Sequence, residues 1–282
     1  MSLYIQGGII MVVQHNMQAA NTNRYLNVSV KAQAGVTEKL SSGYRVNRAA
    51  DDAAGLNISE KMRAQIRGLN QANRNSEDGI SLIQTAEGAL QEIHTILQRM
   101  SELATQGAND TNVTADRHAL KLELTALSSE ITRIANTTEF NTMKLLSGNF
   151  KSKNLQVGAN YMQHISISIS GMTASKLNVQ NSNLKISNYK VATATISVIH
   201  AAINQVSDQR SQLGALQNRL EHTINNLSNV AENLQAAESQ IRDTDMATTM
   251  VEYSKNNIIQ QAAQSMLSQA NQSTQGVLSL LQ

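Results

Sequence analysis

The chain has 282 residues and contains no cysteine, proline or tryptophan, which excludes a disulfide framework, a thiol nucleophile and Cys-ligated zinc. About 14 prolines would be usual at this length, and without them helices can run on with no break in their donor ladder. The 23 basic and 21 acidic side chains give a net charge of +2 and only 3% of residues are aromatic, so the composition is not that of a dedicated nucleic-acid binder, which needs a basic stripe interleaved with aromatics.

No apolar run approaches the roughly 20 residues that span a bilayer, so membrane insertion is not expected. The N-terminus also lacks the basic start and apolar core of a secretory signal. Near that end, Leu26, Val30 and Leu40 are expected to share a helix seam with Gln33 and Thr37, a stripe poor in large apolar residues. Such a helix is marginal alone, because burial must offset roughly 1 to 2 kcal/mol of backbone entropy per residue.

The stretch SSGYRVNRAADDAAGLNISEKM, residues 41–62, groups Arg45, Arg48, Asp51 and Asp52 with two glycines. It has the look of a catalytic cluster, yet adjacent residues on a helix point about 100° apart and no His or metal-ligand set accompanies the acids. Ser41-Ser42-Gly43 instead matches a helix terminus, since glycine accepts the left-handed cap conformation. Asp51 and Asp52 then fall near the start of the next helix, where its dipole favours acids, facing Arg45, Arg48, Lys61 and Arg63. The stretch is therefore expected to join the end of one helix to the start of the next.

Ile83, Ala86, Leu90, Ile93, Leu97, Met100 and Ala104 alternate spacings of three and four, the mark of a coiled-coil seam. In this phase Met100 and Ala104 point inward, and Arg99 and Leu103, four apart, share a neighbouring face. A second seam runs through Leu120, Leu124, Leu127, Ile131 and Ile134. The period then changes. LQVGAN followed by HISISIS sets Ile165, Ile167 and Ile169 opposite Ser166, Ser168 and Ser170, which is strand alternation, and predicts a β-hairpin over about 153–170 turning at Gly158-Ala159-Asn160.

Residues 171–190 are polar, weakly patterned and expected to form a loop or short return segment. The third and longest seam passes through Leu213, Leu216, Leu220, Thr223, Leu227, Val230, Leu234, Ala237 and Ile241, roughly 45 Å or more of helix at 1.5 Å per residue. At the C-terminal end Ile259, Ala263, Met266 and Ala270 make a small-residue seam. The expected fold is mainly α, an elongated coiled-coil helical bundle with a small β-hairpin.

The six histidines fall singly, with no HxxxH or HxH spacing for a metal, and the glycines form no phosphate loop. Met62, Met100, Met246, Met250 and Met266 recur at helix seams as ordinary packing residues. No cofactor is implied, and the convergent side chains an enzyme requires are not found.

The segments MVVQHNMQAANTNR, KLSSGYRVNRAADDAAGLNISEKMRAQIRGL, NRNSEDGISLIQTAEGAL, FNTMKLLSG and IRDTDMATTMVEYSKNNIIQQAAQSMLSQANQSTQGVLSLLQ closely resemble bacterial flagellin, from Met11 to about Ser170 and from about Ile196 to Gln282. The resemblance implies a subunit of the helical flagellar filament, self-assembling, exported unfolded through the flagellar type III apparatus and extracellular. Its N- and C-terminal helices would pair, with 11–52 and 243–282 forming an inner-tube domain. Residues 53–242 would form the rod domain around it, with the loop 171–190 standing where larger flagellins carry variable outer domains.

Implied partners are further copies of the chain, a secretion chaperone at the C-terminal helix, the filament cap and hook-junction proteins, and the flagellin-sensing toll-like receptor of animal hosts. QRMSELATQ, residues 98–106, resembles the receptor-engaging segment and carries over Arg99, Leu103 and, from the next helix, Glu123; these would also contact stacked subunits. Ser101 stands where a second basic residue is frequent. A hook-filament junction protein is the alternative, disfavoured by DDAAGLNIS and LSQANQ. Similar proteins begin where this chain has Met11, and Gln6-Gly7-Gly8 can be encoded by a purine-rich ribosome-binding sequence, so residues 1–10 are expected to be untranslated leader.

Overall fold

The computed structural model describes residues 16–280. The leader assigned to residues 1–10, together with Met11 and His15, lies outside them. Five helices dominate: α1 (Met17–Ser42), α2 (Ala53–Gly107), α3 (Thr114–Thr137), α4 (Tyr189–Arg242) and α5 (Met246–Leu280). Between α3 and α4 come four short strands, β1 (Glu139–Phe140), β2 (Met143–Lys144), β3 (Lys153–Gln156) and β4 (His164–Ile167). The chain divides into two compact units, one made of residues up to Arg63 and from Gln235 on, the other of Ala64–Leu234.

The larger unit is a true core. Ile83, Ala86, Leu90, Ile93, Leu97, Met100 and Ala104 of α2 are fully buried, as are Leu124 and Ile131 of α3 and Ile199, Val206, Leu213 and Leu220 of α4. The expected first seam is thus the spine of the unit. The third seam is buried as far as Leu227, and Val230 beyond it is 39% exposed.

The strands pair as two antiparallel hairpins, β1 with β2 and β3 with β4. In the second, Leu155 faces Ile165 and Gln156 faces His164. Ile167 and Ile169 are buried while Ser166, Ser168 and Ser170 are exposed, which is the alternation expected of HISISIS. The turn of this hairpin rests on α2, where a Cβ added to Gly68 would stand 2.8 Å from the Ala159 Cβ, closer than atoms pack, so only glycine admits the turn there. The first hairpin was not anticipated. Its turn, Asn141 (φ 47°) and Thr142 (φ 63°), takes the double left-handed conformation of tight hairpins, in which Asn is favoured.

Residues 171–188 are irregular, yet not a free loop. Met172, Ala174, Leu177, Val179, Leu184 and Ile186 are buried in the core. Two polar pegs hold the segment: Ser128 Oγ of α3 donates to the Val179 carbonyl at 2.7 Å, and Thr195 Oγ1 of α4 to the Lys185 carbonyl at 2.7 Å. Buried backbone outside regular structure needs such partners.

The smaller unit is an antiparallel pair, α1 packed along α5. Asn16 caps α1, its Oδ1 accepting the Ala19 N–H at 3.0 Å, and its Nδ2 donates to the Ala270 carbonyl of α5 at 2.9 Å. At the other end Gly43, with φ 75°, makes the left-handed cap, donating to the Lys39 carbonyl at 2.8 Å. Asp245 caps α5 through Oδ1, which accepts the Ala247 N–H at 2.9 Å.

The packing face of α1 is Ala19, Thr22, Leu26, Ser29, Gln33, Val36 and Leu40. This corrects the expected seam: Val30 and Thr37 are exposed, and Val36 is the residue of α1 that is buried.

Candidate functional site

Two surfaces carry the side chains singled out in the sequence. The first is the connector after α1, within the smaller unit. Tyr44 bridges Asp243, the Arg45 N–H donates to the Arg242 carbonyl at 2.7 Å and the Thr244 N–H to the Gly43 carbonyl at 3.0 Å. The Arg242 guanidinium lies 4.6 Å from the centre of the Tyr44 ring, a cation–π distance, and its Nη1 donates to Glu60 at 2.8 Å. Arg63 reaches the same carboxylate at 3.2 Å. Arg45 donates to the Ile241 carbonyl, and Val46 is buried beside this knot.

The acids of the connector find backbone rather than the facing arginines expected for them. Asp51 Oδ2 accepts the N–H groups of Arg48 at 2.9 Å and Asn47 at 3.1 Å, while the Arg48 guanidinium turns back to Glu38 of α1 with two contacts at 3.0 and 3.1 Å. Asp52 is the N-cap of α2, accepting the Gly55 N–H at 2.8 Å. The short spacing explains this: a carboxylate two to four residues from an open turn satisfies its amides sooner than any long side chain can reach it. These are the groups of a rigid corner. The pair is not arranged as acid and base.

Two of these carboxyls are held below the ordinary carboxylate range. The backbone N–H groups of Arg48 and then Asn47 lower Asp51 from 3.8. The Arg242 hydrogen bond, followed by the charges of Arg63 and Arg242, lowers Glu60 from 4.5. A depressed folded value means the contribution is whole at neutral pH and is lost as pH falls through and below those ordinary values. The protection of the amides over Arg45–Asp51, relative to their intrinsic exchange rates, is therefore expected to fall below about pH 4, and the double variant Asp51→Asn, Glu60→Gln to lose most of that acid dependence.

The second surface is in the larger unit, on α2 and α3. Arg99 donates to Glu123 of α3 at 3.1 and 3.2 Å and to Glu102 at 3.1 Å. Those two carboxylates, Glu102 first, raise the Arg99 guanidinium above its usual value. All three side chains are substantially exposed, so the pairs add little stability. Arg99 and Glu123, assigned from separate segments, are thus in contact. Leu103 is not part of that surface: at 1% exposure it belongs to the core. Helix α2 packs on α3 and the return segment together and buries a stripe wider than an a/d seam, which takes in position 103 beside Met100 and Ala104.

The terminal helices bring a third surface that the sequence only partly revealed. The face of α5 turned to α1 consists of Tyr253, Asn256, Gln260, Ala263, Leu267 and Ala270. On the far side stand Val251 and Ile258, exposed by 69 and 67%, while Ile259 and Met266, one turn before Ala263 and Ala270, stand at the edge of the packed face, exposed by 41 and 58%. The expected C-terminal seam runs along the border of the packed face, with Ala263 and Ala270 inside it and Ile259 and Met266 at its exposed edge. Helix α1 also carries exposed Met17, Tyr25 and Val28. Of the methionines assigned to seams, Met100 is buried, whereas Met246, Met250 and Met266 are exposed.

Among the described residues no three His, Asp or Glu side chains are grouped to hold a metal, and no helix is long and apolar enough to cross a membrane.

The bacterial flagellin N-terminal helical region matches residues 13–151 and the bacterial flagellin C-terminal helical region residues 196–281. A flagellin of Halalkalibacterium halodurans is 54% identical over 271 residues, covering 96% of this chain and all of the relative. A flagellin of Bacillus subtilis is 50% identical, again covering 96% of this chain and all of the relative. Among solved structures, a protein described as flagellar hook-associated from Vibrio parahaemolyticus aligns with a TM-score of 0.59 at 15% identity, covering 68% of this chain and all of that one, a likeness of fold alone. The two terminal matches, the identity of the full-length relatives and the paired terminal helices with their helical core place the chain in the bacterial flagellin family, structural proteins of the flagellar filament.

Proposed function

We propose that this chain is the repeating subunit of a flagellar filament and that it polymerises through the second apolar faces of α1 and α5. The observation that carries this reading is the exposed apolar set Val251 and Ile258, opposite the face already used within the subunit, with Ile259 and Met266 at that face's edge. Exposed apolar patches at regular spacing mark association surfaces. In a homopolymer the covering partner is another copy, and a contact repeated head to tail without closing gives a helical fibre.

Residues 11–52 and 243–282 would form the inner tube and 53–242 the tube around it. The family resemblance extends the proposal to an extracellular protein exported unfolded, with a chaperone on the C-terminal helix before export and cap and hook-junction proteins at the ends of the filament. A hook-filament junction protein remains the second reading. Seeded growth separates the two: purified subunits added to sheared filament fragments should elongate them indefinitely by electron microscopy, and a layer that stops after one turn refutes the filament assignment.

Recognition by the flagellin-sensing toll-like receptor is proposed through the Arg99–Glu123 pair, with Leu103 excluded from direct contact by its burial. Arg99→Ala and Glu123→Ala are expected to lower receptor signalling by tenfold or more while shifting the stability of the larger unit by no more than about 0.5 kcal/mol. Unchanged potency in both variants removes the proposal.

A further inference from the structure

The balanced total charge conceals a strong asymmetry. From Phe140 to Val206 and Ser207 there is no Asp or Glu, whereas six lysines occur, at 144, 151, 153, 176, 185 and 190. With a chain total of +2, that stretch carries +6 and everything else −4. All six lysines are exposed. None of them forms an ion pair among the described residues.

Acids of neighbouring segments stand beside most of these lysines: Glu139 faces Lys144 across β1–β2, Asp78 shares a depression with Lys153 and Asp208 shares one with Lys151 and Lys176, whereas the groove that holds Lys185 is lined by no acid. The first two turns of α3 set Thr114, Arg117, His118 and Lys121 on one side, and Lys185, Ile186 and Ser187 of the return segment on the other, around about 310 Å³. Arg117 builds the wall: Nη1 donates to the Ser187 carbonyl at 2.8 Å, and Nη2 to the Asn109 carbonyl at 3.2 Å and Asp110 Oδ1 at 3.1 Å. Its side chain is only 12% exposed, and its buried Nε has no partner.

Ile186 forms an apolar floor. Lys121, Lys185 and His118 stand on the rim without ion-pair partners among the described residues, and Tyr189, 56% exposed, follows two residues after Ser187. The acid nearest in sequence on α3, Asp116, is turned to the helix start, accepting the Val113 N–H at 3.2 Å.

We propose that this groove binds an acidic polysaccharide, a chain of sugars bearing carboxylate or sulfate groups. The cationic rim of Lys121, Lys185 and His118 meets the acid groups, and the apolar floor at Ile186 meets a sugar face. Uncompensated lysines draw polyanions by long-range field and counterion release. A single-stranded nucleic acid is the poorer fit, because base stacking requires several exposed aromatic platforms and no Phe, Tyr or Trp side chain lines the groove. The inference rests on the filament reading, which places this segment on the outside of the polymer.

Filaments, their assembly checked separately by electron microscopy, are sedimented with heparin, with polygalacturonate, with neutral dextran and with single-stranded DNA of matched length. Both acidic sugars are expected to co-sediment, to be released at least tenfold between about 50 and 200 mM salt, and to leave dextran behind. Lys121→Gln with Lys185→Gln should weaken heparin binding by at least tenfold, and Lys144→Gln with Lys153→Gln, outside the groove, by threefold or less.

Equal losses from the two pairs, or DNA held as tightly as heparin, overturn the assignment. Filaments that form normally and bind neither acidic sugar overturn it too, leaving the subunit reading intact. Failure to form filaments at all counts against that earlier reading, and the same sedimentation is then run on the subunit coupled to beads, where absence of heparin binding overturns the groove as well.

Discussion

Ile258→Asp is expected to abolish filament growth while leaving the subunit folded. Ile258 is 67% exposed in the subunit, so a carboxylate there meets water and the pairing of α5 with α1, which uses Gln260, Ala263 and Leu267, is untouched. In the polymer the same position would be covered by apolar side chains of a neighbouring copy. An unpaired charge enclosed in that way costs several kcal/mol, and about 3 kcal/mol per subunit corresponds to at least a hundredfold rise in the concentration needed for growth. Far-UV circular dichroism should be unchanged, and seeded light scattering flat at concentrations where the unaltered protein polymerises completely. Growth within threefold of normal would place α5's second face outside the contact.

Leu90→Ala is expected to have the opposite signature, a large loss of stability in the larger unit. Leu90 has no exposed surface and sits in the middle of the α2 spine, packed within the same core as α3, α4 and the two hairpins. Truncation removes buried methyl groups and leaves a cavity that three helices cannot all close, at a cost of about 2 to 5 kcal/mol. For a unit of this size that lowers the thermal midpoint by roughly 5 to 15 °C. Calorimetry checks it. Arg99→Ala, only two and a half turns further along the same helix, should move the midpoint by about 2 °C or less, because its ion pairs are solvated.

The contrast between these positions follows from how much of the molecule was legible in its sequence. Where one helix face meets one continuous core, as from Ile83 to Ala104, alternating threes and fours placed every core residue of α2 that the seam included. Leu103 escaped because periodicity finds the centre of a stripe and not its width, and α2 is wrapped by more than one neighbour.

In α5 the failure was of another kind. Ile259 and Met266 lie one turn before Ala263 and Ala270, on the exposed edge of the same stripe, so spacing gave the period of the seam while the centre of the packed face lay a fraction of a turn away, through Asn256, Gln260 and Leu267. In α1, Val30 stood in for Val36 for the same reason. The connector's composition pointed to a corner, but the partners of Asp51 and Arg48 depended on which amides the turn left open. The β1–β2 hairpin has two residues per strand, too few for alternation to register, and Asn141 was its only cue. Residues 171–188 read as a loop since their buried positions, from Met172 to Ile186, follow no regular period.

Helices α1 and α5 satisfy each other along one side only, and in the proposed filament order along the other side would come from neighbouring copies. Among the residues of α1 and α5 whose burial is described, only Val36, Thr249 and Ala270 are buried in the subunit, so little apolar burial opposes the loss of backbone entropy. Native-state hydrogen exchange on the same protein as free subunit and as filament tests this directly. Amides from Val251 to Met266 are expected to exchange quickly in the subunit and to gain at least a hundredfold protection in the filament, while those from Ile83 to Ala104 change little. Equal protection of α5 in the two states would contradict the account.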